Sequence, residues 1–269
     1  MSALAKYTKA GLLGMQNAME YRADFLLGMV TIAFPLFIQT FLWNSIYAGS
    51  GSAAMFGYTY AQMLSYTVVA NILRRLLQTG FEYEINDDIK NGALDKFIVR
   101  PVNYFSYRMV SFLGGKLVQG ALMLVLMVGA VLVLNAALGA GIAASGVLWF
   151  LLILVLAFFL NFVIFFLVGM LAFWLSEVGF LFEAIRIVFI AFSGGIFPLD
   201  VFGPRVVAVL NWLPFRYTCN FPVDVLCGRI AGADILLGCA AMIGWILVLV
   251  VASLAVWRAG LRRYVAAGG

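Results

Sequence analysis

The sequence predicts an all-α polytopic membrane protein with six transmembrane helices, and three observations predict it. Of the 269 residues, 65% are hydrophobic and only 11% charged, with a mean hydropathy of +1.06, whereas a typical soluble domain is about 25% charged. Apolar runs of roughly 20 residues, enough to cross a hydrocarbon core of about 30 Å as helix, recur along the chain. Basic residues gather between and beside alternate runs, where cytoplasmic segments belong.

The elements follow in order and leave one transmembrane domain over residues 1–269. Residues 1–24 place Leu4, Tyr7, Leu12, Met15 and Met19 at near-helical spacing with Lys6 and Lys9 between them, the pattern of an amphipathic helix on the membrane surface. Lys6, Lys9, Glu20, Arg22 and Asp24 interrupt any apolar core, so no cleavable signal peptide is expected there. The first span is 25–47, with Pro35 inside it and Trp43 and Tyr47 at interfacial depth, and an uncharged turn at 49–57 follows. The second is 58–77, its Arg74 and Arg75 snorkelling to the cytoplasmic headgroups. Residues 81–108 hold five of the twelve acidic residues and form a solvated cytoplasmic loop, with Ile85, Ile89 and Leu94 as its apolar face. The third span is 117–138 and the fourth the charge-free 147–175. The fifth, 178–197, carries Glu183 and Arg186 at a spacing that pairs them on one helix face. Residues 200–234, broken by Pro204, Pro214 and Pro222, read as a re-entrant outer hairpin, and 235–257 is the sixth span.

Counting Lys and Arg orients the chain. Three precede the first span, seven lie from Arg74 to Lys116, and three follow the last span. Arg205, Arg216 and Arg229 on the outer side are balanced by Asp200, Asp224 and Asp234. Both termini are therefore expected in the cytoplasm. The net charge of +5 is explained by these loops rather than by nucleic acid binding. No histidine is present, which removes the usual ligand of haem and of most zinc or copper sites. Cys219 and Cys227 would stand roughly 12 Å apart along a helix, too far for a disulfide.

No catalytic machinery is legible. Gly114, Gly115 and Lys116 resemble the end of a phosphate-binding loop, but Leu117 follows and the earlier glycine is missing. Ser193, Gly194 and Gly195 lie in an apolar run, where a helix kink or close helix approach explains them. Gln39 and Asn44 in the first span and Asn161 in the fourth are polar enough to line a transport pathway, although a buried amide also serves as interhelical glue. Glu183 and Arg186 are candidates for the same pathway or for a structural ion pair at the cytoplasmic interface.

The string EINDDIKNGALDKFIVRPVNYFSYR from Glu84 to Arg108 resembles the first cytoplasmic loop of ABC-2 type transporter permeases, specifically the six-span branch once described as a domain of unknown function. MEYRADFLL, LWNSIY, NWLPFRYTCNFPVDVLCGR and GLRRYVAAGG extend the resemblance over nearly the whole chain. It implies an ABCG-like type V exporter half in a prokaryotic cytoplasmic (inner) membrane. It also implies a separate ATPase subunit in two copies, which binds ATP and Mg, and a second permease chain, identical or paralogous. Some relatives are linked to export of drugs or cationic toxicants, which leaves the substrate open.

Within that resemblance, the segment of Glu84, Ile85, Asp87, Asp88, Ile89, Asn91, Gly92 and Leu94 is expected to be the coupling helix. Its apolar residues would anchor in the ATPase, its charges would guide docking, and Asn91 with Gly92 would stop the helix. Two other readings remain beside it. An ion-coupled secondary transporter would need carboxylates at mid-bilayer, for which only Glu183 is a candidate. A non-transporting membrane anchor or assembly subunit would need the loop and no polar path.

Overall fold

The computed structural model describes residues 3–20, 22–99, 102–139 and 141–264. Arg100, Pro101 and residues 265–269 lie outside the described residues, as do the side chains of residues 3–6 and 17–32. In chain order come α1 (Ala3–Glu20), α2 (Arg22–Ser50), β1 (Ala54–Met55), β2 (Tyr58–Thr59), α3 (Tyr60–Leu77), α4 (Phe81–Lys90), α5 (Asp95–Ile98) and α6 (Tyr104–Leu138). They are followed by α7 (Ala144–Gly169), α8 (Gly179–Phe192), α9 (Pro204–Leu210), α10 (Asn220–Leu226) and α11 (Ala233–Leu261). Among the described residues the protein is all-α apart from the hairpin of two-residue strands β1 and β2.

Local chemistry sets the boundaries. Phe56 and Gly57 both have positive φ, 53° and 78°, which turns the chain between β1 and β2 as two-residue hairpins do. Thr59 then caps α3 by accepting from the Gln62 backbone N–H while the Gln62 side chain accepts from Thr59, a reciprocal capping box. The Asn103 side chain caps α6 through the Ser106 N–H at 3.0 Å. Helix α6 therefore begins well before the expected third span, and its charged first turns are helical rather than loop. Those charges have protein partners: Arg108 reaches acids on α4, and Lys116 donates to Gln119 at 2.9 Å.

Among the described residues, Gln119–Leu138, Ser145–Phe173 and Ala233–Leu261 are helical segments long and apolar enough to cross a membrane. Their outward faces are apolar: Val125, Leu132, Leu148, Leu152, Leu237 and Val251 are each more than half exposed. So are Phe34, Phe37 and Phe41 on the 29-residue α2. A belt of this extent is suited to lipid rather than water. Helix α3 is different, with Met63, Tyr66, Val69, Leu73 and Leu76 all buried by protein.

The expected fifth span, 178–197, is only partly one helix. Helix α8 has 14 residues, about 21 Å of helix, and stops at Phe192. Gly194 takes φ +82° there. A Cβ on it would lie 2.5 Å from the Tyr66 hydroxyl and 2.7 Å from Asn220 Cβ. The glycine motif is thus a helix stop at which three elements meet: Tyr66 donates to the Gly194 carbonyl at 2.8 Å, and the Asn220 N–H donates to the Ser193 carbonyl at 2.8 Å.

Two apolar clusters fill the interior. One joins Trp43, Tyr66, Phe150, Phe221 and Met242; the other joins Phe81, Ile85, Tyr104, Phe162, Phe166 and Phe182. Inside lipid the gain from such burial is close packing rather than removal from water. Helix α1 meets α6 through glycines: a Cβ on Gly14 would sit 2.2 Å from the Ser111 carbonyl oxygen, and one on Gly114 would sit 2.2 Å from that of Gly11. The expected surface helix is therefore bound to protein along one face, with Leu12 and Leu13 exposed.

Candidate functional site

Helix α4 is bolted to three neighbours. Arg108, from α6, pairs with both Glu84 and Asp88. Its Nε donates to the Tyr104 hydroxyl at 3.0 Å, and that hydroxyl donates to Asp88 at 2.8 Å. Burial raises the Tyr104 pKa, so the phenol stays a donor. Arg186, from α8, pairs with the fully buried Glu82. Tyr83 donates to Glu183, which lies 3.3 Å from Arg186. Lys90 donates to the Leu175 carbonyl after α7, at 2.7 Å. Gly169 on α7 receives Ile85 so closely that a Cβ there would lie 2.9 Å from Ile85 Cδ1. Helix α4 ends as the sequence suggests, with Asn91 at its C-cap and Gly92 at φ +71°.

This geometry changes the roles of the coupling candidates. Ile85, Ile89 and Leu94 are buried in the chain's own second cluster, so they do not project as anchors for another subunit. Asp88 is equally turned inward, on Arg108 and Lys96. The reason is periodicity: an apolar stripe at i, i+4 on a helix lying against two long helices is drawn to them first. The outward face of α4 is Glu84, Asp87, Lys90 and Asn91.

The pathway candidates separate into two groups. Asn161 and Arg186 line one cavity of about 300 Å³, enclosed by α3, α7 and α8 with Pro35 of α2 and Cys219 beside them. The Asn161 amide donates to the Leu77 carbonyl at 2.6 Å, satisfying one of the free carbonyls at the end of α3. Gln39 lies behind the wall. It donates to the Ile196 carbonyl at 3.1 Å and accepts from Asn71 at 2.6 Å, and Asn71 in turn accepts from Arg74 at 3.3 Å. Glu183 is exposed and Asn44 is exposed, and neither lines the cavity.

Sequence reasoning missed what gives this cavity its character. Arg74 and Arg75 line it together with Arg186, whereas the sequence reading sent the first two to the headgroups. Asn71, Arg74 and Arg75 fall within one turn and a half of α3, a polar stripe that the surrounding apolar run obscured. Glu82, the buried partner of Arg186, is hidden among the loop acids because composition cannot tell a buried carboxylate from a solvated one. Among the described residues no group of His, Cys, Asp or Glu is placed to hold a metal ion.

Residues 33–268 match the family model described as ABC-2 family transporter protein. Neither a curated protein nor a solved structure gives a match.

Proposed function

The chain belongs to the ABC-2 transporter family, and from that premise we propose that it is the permease subunit of an ATP-driven exporter in a prokaryotic cytoplasmic membrane. As a membrane component of a transporter it is not itself the catalyst; ATP and Mg would be bound by a separate ATPase, present in two copies. A second permease, identical or paralogous, would supply the other wall of the pathway. The reading takes α2, α3, α6, α7, α8 with the turn that follows it, and α11 as six crossings, leaving both termini in the cytoplasm.

One observation carries the proposal: α4 is clamped to α6, α7 and α8 while a charged face points outward. A motor outside the bilayer needs a rigid lever, and an element tied to several helices moves them together. Contact with the ATPase is assigned to Glu84, Asp87, Lys90 and Asn91, and Ile85, Ile89 and Leu94 hold the lever in place. Closure of the ATPases would then drive alternating access across the permease pair. A carboxylate-driven secondary mechanism fits less well, because Glu183 is exposed and occupied by Tyr83 and Arg186.

The test is copurification of the full-length permease with an ATPase encoded beside it, and ATP-dependent efflux from cells or vesicles. The expected result is a complex with two permease and two ATPase chains and a reporter after Gly269 active only in the cytoplasm. A permease that transports without any ATPase, or a reporter active outside, overturns it.

A further inference from the structure

The cavity between α3, α7 and α8 has a charge surplus that nothing else in the described structure uses. Three guanidinium groups line it, those of Arg74, Arg75 and Arg186. Arg186 is neutralised by Glu82 and Glu183. Arg74 and Arg75 have only neutral amide partners among the described residues, Asn71 at 3.3 Å and Gln78 at 2.6 Å. The Nε atoms of all three arginines are buried without a hydrogen-bond partner. Charged groups held in an apolar setting are costly unless an opposite charge or further hydrogen bonds offset them. The rest of the lining includes the apolar Leu77, Phe165, Phe189 and Ile190 beside the polar Gln78, Thr79, Asn161 and Ser193.

We propose that this cavity binds the anionic headgroup of an amphipathic ligand, a phosphate or carboxylate against Arg74 and Arg75 with its apolar body on Phe165 and Phe189. This deepens the permease reading and rests on it for the statement that the anion is cargo; binding itself does not depend on it. The volume, about 300 Å³, lies at the lower end of small-molecule sites, which run from about 300 to 1,000 Å³. Guanidinium is the side chain suited to bidentate capture of phosphate or carboxylate. The terminal guanidinium nitrogens would make these contacts, since the Nε atoms have almost no accessible surface. A cationic ligand would meet two uncompensated positive charges, so the cavity as built opposes it.

The full-length permease in phosphatidylcholine nanodiscs is titrated with 1-naphthyl phosphate and with 1-naphthylmethylammonium, with empty nanodiscs as background. The phosphate is expected to bind at least about tenfold more tightly. Arg74→Gln and Arg75→Gln should each weaken it about tenfold or more, the usual loss for a charge-assisted bond, while Arg74→Lys retains part of the affinity. Equal affinity for the two probes, or phosphate binding indifferent to both Gln variants, overturns the proposal. If the Gln variants do not fold, the wild-type preference between the two probes decides alone.

A second arm replaces part of the phosphatidylcholine with phosphatidylglycerol. Displacement of the naphthyl phosphate identifies a lipid headgroup as the source of the anion, and undiminished binding identifies a soluble one; both support the site. Anion binding without ATP-dependent transport would sink the permease reading and leave the site. Transport with a copurified ATPase but no anion preference would sink the site alone.

Discussion

Arg108 on α6 and Asp88 on α4 form a buried ion pair that joins the charged loop to the start of a long helix, with 8% and 10% of their side chains exposed. The pair is completed by Tyr104, which donates to Asp88 and accepts from Arg108. A buried pair of this kind is worth little relative to an apolar replacement, but leaving one partner alone is costly.

The first prediction follows from that asymmetry. Arg108→Met should destabilise the permease by about 3 kcal/mol, because the buried Asp88 keeps only Tyr104 and the half-exposed Lys96 as side-chain partners. Arg108→Met combined with Asp88→Leu should recover a large share of that loss. Thermal midpoints in neutral detergent measure both. Losses that simply add would show that the two residues act separately.

The two faces of α4 should respond differently to mutation. Ile89→Asp puts a charge into the second cluster and is expected to lower the thermal midpoint and yield of the permease itself. Asp87→Arg and Asp87→Ala lie on the outward face and should leave the midpoint within about 0.5 kcal/mol of wild type, as exposed substitutions usually do. Under the permease reading these outward variants should weaken ATPase retention. Full retention and normal efflux in both would move the contact away from α4.

Much of this fold could be read in the sequence because lipid makes the reading simple. Uncharged runs become long helices, and Asn91-Gly92 and Pro204 mark boundaries that local chemistry fixes. The reading failed where a residue's environment comes from distant parts of the chain. Phe192 ends α8 because Gly194 must fit between Tyr66 and Asn220, 128 and 26 positions away in the sequence. Ile85 and Ile89 looked like an interface because their stripe is apolar, but periodicity cannot say whether the partner is another subunit or α7. Arg74 and Arg75 sit at the end of a run, where snorkelling and cavity lining give the same pattern.

The contact between α1 and α6 tests close packing through glycine. Gly114→Leu must drive the helices apart, since even a Cβ there would meet the Gly11 backbone at 2.2 Å. Limited proteolysis should then cut between α1 and α2 faster than in wild type, at least about tenfold. Gly129→Leu is the control, since nothing lies within 4 Å of its Cβ position, and it should leave cleavage unchanged. Similar cleavage of both variants would mean that α1 is held by other contacts.

The last prediction concerns the cap formed by β2 and α10, which lies outside the spans in this reading. The Tyr58 hydroxyl lies 2.9 Å from Asp200 and 3.1 Å from Asp224, its one proton shared between the two carboxyl groups. The Arg229 guanidinium stacks 3.4 Å from the Tyr58 ring centre and lies 3.6 Å from both carboxylates. Burial raises the Asp224 pKa from 3.8 to about 7, with Asp200 adding to the rise and Arg229 and Arg216 opposing it. Between those two values the native state holds a proton that the unfolded chain has released, so stability falls as the pH rises from about 4 to about 7 and levels off above. Asp224→Asn removes the titrating group and keeps an acceptor for Tyr58. The difference in thermal midpoint between wild type and Asp224→Asn should therefore shift against wild type from pH 5 to pH 8. A difference that stays constant across that range, or one that moves in favour of wild type, would show that Asp224 is already ionised in the folded cap and that Arg229 outweighs its burial.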